Sequence, residues 1–185
     1  ACGDNNASGG DRQTSPSPSA SAGAPSGDSG KTEPDNTGAG GKKEGGNVVV
    51  VIPQDLDYLD PQLAVAAGTS EVLFNIFEGL LKPNEKGELY PAVAESYEIS
   101  PDGLTYTFKL RSGVKFHNGQ AVTSADVKFS YDRLAGIGTG KPLSTAFGSV
   151  QSIEAPDPST VVIKLKENNS SFLTALTAAI IPNGY

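Results

Sequence analysis

The sequence predicts a mixed α/β body, with sheets covered by helices, carried behind a long polar tether. Three observations predict it. Apolar residues alternate with polar ones at 104–110 and 160–165, they recur at helical spacing at 72–81 and 127–134, and residues 3–47 hold no Val, Ile, Leu, Met, Phe, Trp or Tyr.

The tether, residues 1–47, is read from that last absence. With nothing to bury, the stretch cannot offset the entropy cost of ordering it. Its Gly, Ser, Pro and Asn content gives a flexible chain with a root-mean-square reach of roughly 35 to 40 Å. Cys2 is the single cysteine, which excludes an internal disulfide and leaves too few thiolates for a structural zinc site. Preceded by the small Ala1 and followed by Gly3 and the polar run, it is placed like the lipid-modified first residue of a bacterial lipoprotein. A free thiol left by truncation is the alternative, because no apolar signal segment precedes it.

The net charge is −7. Phosphate backbones are bound by clustered Lys and Arg, so this balance, with scattered lysines, argues against nucleic acid as a partner. No run of about 18 apolar residues suggests a membrane span.

In the body, residues 48–185, the β-branched run 48–52 reads as a strand buried on both faces and ended by Pro53. Residues 54–68 are irregular. Thr69 or Ser70 caps a helix whose stripe is Val72, Leu73, Ile76, Phe77, Leu80 and Leu81. Residues 83–87 form a turn, and Ser100-Pro101-Asp102-Gly103 suits a type I turn into the strand at 104–111. A short strand at 114–116 and a turn at Asn118-Gly119 follow. Thr123 and Asp126 have capping-box spacing ahead of a helix that stops near Gly136. Residues 150–154 and 160–165 flank Asp157-Pro158 as a hairpin. A last helix runs from about Ser170 to Pro182, its stripe formed by Phe172, Leu173, Leu176 and Ile180.

Motifs that could carry chemistry are few. The run from Ala135 to Pro142 is spaced like a phosphate-binding loop, but alanine stands at its first glycine position and proline where a metal-binding hydroxyl is needed. It reads as a plain loop. His117, the single histidine, lies in a predicted turn with no activated serine nearby and reads as solvated. Asp55 and Asp57 fall short of a calcium loop's ligand count. No catalytic residue, metal or cofactor is expected.

Residues 59–134 resemble the front section of the family 5 extracellular solute-binding proteins. The likeness rests on Leu59-Asp60-Pro61, Phe77-Glu78-Gly79-Leu80, Pro91 with Ala94-Glu95-Ser96, residues 105–111, Phe116-His117-Asn118-Gly119 and residues 123–127. Residues 150–166 and 172–182 follow the same pattern. The resemblance implies part of the first lobe of a two-lobe periplasmic-binding-protein-like fold, with the second lobe missing and the chain a fragment. It implies a lipid-anchored, extracytoplasmic receptor, monomeric, that hands peptides to an ATP-binding-cassette importer. The alternatives are an anchored signalling or chaperone-like protein, or a receptor for nickel complexes or oligosaccharides. A secreted hydrolase is the enzyme alternative.

The family's ligand-reaching loop after Leu-Asp-Pro matches Val65, Ala66, Ala67, Gly68 and Thr69 here, a mostly small stretch that another backbone could approach. A plain loop leading into the helix is the structural alternative. Leu143 and Phe147 are secondary candidates for the same wall. With one lobe absent, the chain alone is expected to bind solute weakly, and the apolar face of the 172–180 helix is expected to be exposed.

Overall fold

The computed structural model describes residues 45–185, so Cys2 and residues 3–44 of the expected tether lie outside the described residues. Within Val48–Tyr185 the chain runs through α1 (Ala67–Phe74), a small hairpin of β1 (Leu81–Pro83) and β2 (Leu89–Pro91), then β3 (Ala94–Ile99) and β4 (Thr105–Leu110). It continues through α2 (Ser124–Ala135), a 3-10 turn at Thr145–Phe147, β5 (Val150–Asp157), β6 (Thr160–Leu165) and the short α3 (Phe172–Ala175). The main sheet is antiparallel, in the order β3-β4-β6-β5. Helices and sheet together make the mixed architecture that the sequence predicts.

Turn chemistry sets the strand ends. Gly103 N–H donates to Ser100 O at 2.8 Å, closing the β3–β4 turn, and Gly103 takes φ +69°, a conformation that costs glycine nothing. Alternation then sets the faces. Tyr106, Phe108 and Leu110 on β4 are buried with Val161, Ile163 and Leu165 on β6, and the register places Phe108 beside Val161 and Tyr106 beside Ile163. The expected strand at 114–116 is reduced to a single bridge, Lys115 with Ala121.

α2 covers the buried face of this sheet. The Asp126 carboxylate accepts from the Thr123 N–H at 2.8 Å and from its hydroxyl at 2.7 Å, which fixes the helix start as its spacing predicts. Gly136, at φ 73°, ends it. A side chain at Gly136 would collide with the backbone of Lys141 and Pro142, so the glycine-rich run returns tightly along α2, where the Leu143 N–H donates to Leu134 O. Val127, Tyr131 and Leu134 of α2 are buried with Phe147 and Phe172.

Three local expectations fail for non-local reasons. Val48, Val49, Val50 and Val51 form no strand and are 75–88% exposed. A doubly buried strand needs a neighbouring strand and a cover on each face, and the described residues provide neither. α1 stops at Phe74 instead of reaching Leu81, because Leu80 and Leu81 are drawn into the core: Leu81 N–H donates to Leu176 O at 3.2 Å, and Ala92 N–H to Leu80 O at 2.9 Å. Gly79 permits that crossing, since a methyl group there would collide with the carbonyls of Leu176 and Ala178. The last helix shrinks to four residues because the same carbonyls serve other segments. Its apolar residues are not exposed; Phe172, Leu176 and Ile180 are buried.

Candidate functional site

Residues 54–66 contain no helix or strand, yet side-chain hydrogen bonds fix their course. Asp57 organises the first half. Its carboxylate accepts from the N–H groups of Tyr58 at 2.9 Å, Val65 at 2.8 Å and Ala66 at 2.9 Å, and the Asp57 N–H donates to Thr69 Oγ1 at 3.1 Å. The Thr69 hydroxyl beside the carboxylate, then the N–H groups of Val65, Ala66 and Tyr58, hold the Asp57 carboxyl well below the usual carboxylate range against a smaller opposing push from burial. Asp57 therefore closes a loop from one end of the segment to the start of α1.

Asp60 organises the second half. Its backbone carbonyl accepts from Leu63 and Ala64 N–H, both at 3.1 Å, and its side chain accepts from Gln62 N–H at 2.9 Å. Arg133, in the last turn of α2, grips the carboxylate with both nitrogens: Nη2 to Oδ2 at 2.6 Å and Nη1 to Oδ1 at 3.2 Å. Burial raises the Asp60 pKa, but hydrogen bonding and charge from Arg133, with the Gln62 N–H, outweigh it and keep the carboxyl below its ordinary value.

The candidate wall residues fall on the start of α1. Ala66 is the residue before the helix, and Ala67, Gly68 and Thr69 make its first turn, so the expected loop is half helical and the cap lies before Thr69. Val65 is exposed, whereas Gly68 and Thr69 are buried. Two of the five main-chain donors are already used, because Val65 and Ala66 point theirs at Asp57. The other three, on Ala67, Gly68 and Thr69, have no acceptor among the described residues, as the first turn of a helix dictates. Such donors suit a carbonyl or carboxylate brought from outside.

The secondary candidates separate. Leu143 is 42% exposed, and its N–H donates to Leu134 O at 3.0 Å, so it too is tied to the last turn of α2. Phe147 is a correction: it is 1% exposed and packs in the core, with its ring 5.1 Å from Tyr131 and 6.0 Å from Phe172. It has no surface to offer a solute. Sequence reasoning missed Arg133 and Gln62, since a single arginine late in an amphipathic helix carries no local signal of its partner on a loop more than seventy residues earlier.

A small cleft of about 260 Å³ opens beyond α1, lined by Ile76, Phe77, Glu78, Val114, Phe116 and His117 among others. His117 is exposed and its Nε2 lies 3.0 Å from Ile76 O, joining the 114–122 turn to the segment after α1. Asp55 is exposed. Among the described residues no three His, Cys, Asp or Glu side chains converge as metal ligands, and no helix is long and apolar enough to cross a membrane.

Comparison with known proteins gives these features a context. The model of the bacterial extracellular solute-binding proteins, family 5 middle, matches residues 88–184. A Brucella ovis protein that bears the name of an ABC transporter peptide-binding protein is 43% identical over 117 residues, 63% of this chain and 22% of that protein. The glutathione-binding protein of Escherichia coli is 36% identical over 140 residues, 74% of this chain and 27% of its own length. Among solved structures, the oligopeptide-binding protein of Bacillus subtilis in complex with a nonapeptide matches with a TM-score of 0.59 and 26% identity, covering 66% of this chain and 25% of that one. The chain thus spans about a quarter of the length of the relatives it matches.

Proposed function

The chain belongs to the bacterial extracellular solute-binding proteins of family 5, and from that membership we propose that it serves to capture peptides outside the cytoplasm for an ATP-binding-cassette importer. The single observation that carries the peptide class is the structural match to a family protein solved with a nonapeptide bound. Capture of this kind needs no covalent chemistry, and the protein acts as a receptor, not an enzyme. Its partners are the permease subunits, to which it releases the solute.

Within this reading the described residues contribute one wall. Of Val65, Ala66, Ala67, Gly68 and Thr69, the first three form its accessible part, and the Ala67 N–H receives a main-chain oxygen of an extended peptide, a contact indifferent to side-chain identity, while the buried Gly68 and Thr69 back the turn from behind. Leu143 adds apolar surface. Cys2 carries lipid and residues 3–47 act as its tether, a reading supported by Cys2 being the single cysteine and by the absence of large apolar residues after it. The tether keeps the receptor near the permease and raises the effective concentration for docking.

The test is mass spectrometry of small molecules released by acid from the protein purified from its native host. A series of short peptides is the expected result. A saccharide or metal chelate as the sole released species, or no small molecule at all, would overturn the peptide reading.

A further inference from the structure

Where the start of α1 stands is decided from α2. Among the described residues, Asp57 and Ala66 tie the 54–66 segment to Thr69 and Ser70 of α1 itself, and every polar tie from 54–66 to the body beyond α1 passes through Arg133 or Gln62. The fork of Arg133 holds both oxygens of Asp60, and its Nη1 also donates to Gln62 Oε1 at 3.1 Å. Gln62 Nε2 in turn donates to Ser130 O at 3.1 Å and Ala179 O at 3.3 Å. Arg133 and Asp60 side chains are 28% and 14% exposed, which limits competition by water.

We infer that Arg133, through its two-pronged hold on Asp60, is the positioning residue that sets where the first turn of α1, and with it the solute wall, sits on the body. The inference rests on the reading of 65–69 as a solute wall. A lysine cannot replace the arginine. It keeps the charge but offers one nitrogen, whereas Asp60 and Gln62 are met by a planar fork whose donors are fixed in direction. Arg133 is not among the buried residues of α2, which are Ser124, Asp126, Val127, Ser130, Tyr131 and Leu134, so releasing it frees the wall without opening the core.

The test compares the protein with its Arg133→Lys, Asp60→Asn and doubly substituted forms by residue-resolved hydrogen exchange and by titration with a pool of fluorescein-labelled tripeptides. Both single variants are expected to exchange the Val65 and Ala66 amides at least about tenfold faster, with Phe108 and Ile163 amides unchanged. The double variant should add little to either single one, because both remove the same contact. Tripeptide affinity should fall in parallel, by roughly tenfold. Unchanged exchange at Val65 and Ala66, acceleration spread equally over β4 and β6, or additive effects in the double variant would overturn the positioning role. Accelerated exchange with undiminished tripeptide affinity would overturn it as well. Accelerated exchange in the variants of a parent that, purified from its native host, binds no tripeptide would leave Arg133 as the residue that fixes 57–69 and sink the peptide reading instead.

Discussion

The hydroxyl of Tyr131 lies 3.1 Å from the carbonyl of Leu176, to which it donates, while it accepts from the Leu80 N–H at 3.2 Å. One phenol thus ties α2 to both segments that left their predicted helices. Tyr131 is fully buried, and that burial pushes its pKa well above the ordinary phenol value, so it stays neutral and can donate at any working pH.

Removing that hydroxyl leaves the Leu80 N–H unsatisfied in the core. Tyr131→Phe should therefore destabilise the fold by about 1–3 kcal/mol, the cost of an orphaned buried donor. Denaturant unfolding measures it, and an unchanged midpoint would show that water reaches Leu80.

Ala67→Pro tests the wall with little structural disturbance. Ala67 is the first residue of α1, where proline is tolerated, and Ala66 already has ψ 133°, the extended conformation a following proline requires. The substitution removes a donor with no acceptor among the described residues. Solute affinity should fall by roughly 0.5–1.5 kcal/mol with an unchanged melting temperature, and Ala67→Ser should change little. Calorimetric titration reads the first outcome and thermal melts the second.

Acid should loosen the Asp157 turn before the sheet that carries it. Hydrogen bonds from the Thr160 side chain, then from the Ser159 hydroxyl and N–H, lower its carboxyl from 3.8 to about 2. A depressed folded pKa means that the stabilisation is complete above the unfolded value and disappears as pH falls through the folded one. The Ser159 amide should thus lose protection between about pH 4 and 2, while Phe108 stays protected. Asp57, whose pKa is lowered as well, should release the Val65 amide in acid by the same route. Amide exchange followed against pH separates the two.

The exposed valines predict self-association. Four consecutive uncharged β-branched residues, Val48 to Val51, lie open with no lysine among them to discourage strand pairing. Val49→Lys together with Val51→Lys should lower concentration-dependent light scattering and leave the melting temperature unaltered, since neither side chain packs on the body.

Cys2→Ser tests the anchor. Two acyl chains hold firmly to a bilayer where one is marginal, at about 0.8 kcal/mol per buried methylene. In the native host the variant should move from the membrane fraction to the soluble extracytoplasmic fraction, and an unchanged distribution would count against lipidation at this residue.

By itself the sequence determined the elements whose causes are local. The Ser100-Pro101-Asp102-Gly103 turn, the alternation along β4 and β6, the Thr123–Asp126 box and the stop at Gly136 each depend on residues within one turn or one strand of one another, so pattern alone carries them. The motif run from Leu59 to Val127 likewise carried the family, because a family is a set of spacings. Tertiary structure decided everything that depended on distant partners. Leu80 and Leu81 have helical spacing, but the carbonyl of Leu176 outbids the helix for the Leu81 N–H; residues 48–52 have a strand's composition, but a strand exists only beside another. The wall shows the same division. The small residues at 65–69 that the sequence offers for it stand at the start of α1, whereas Phe147 is core, and the Arg133 fork on Asp60, at 2.6 Å, is a contact that no local spacing encodes.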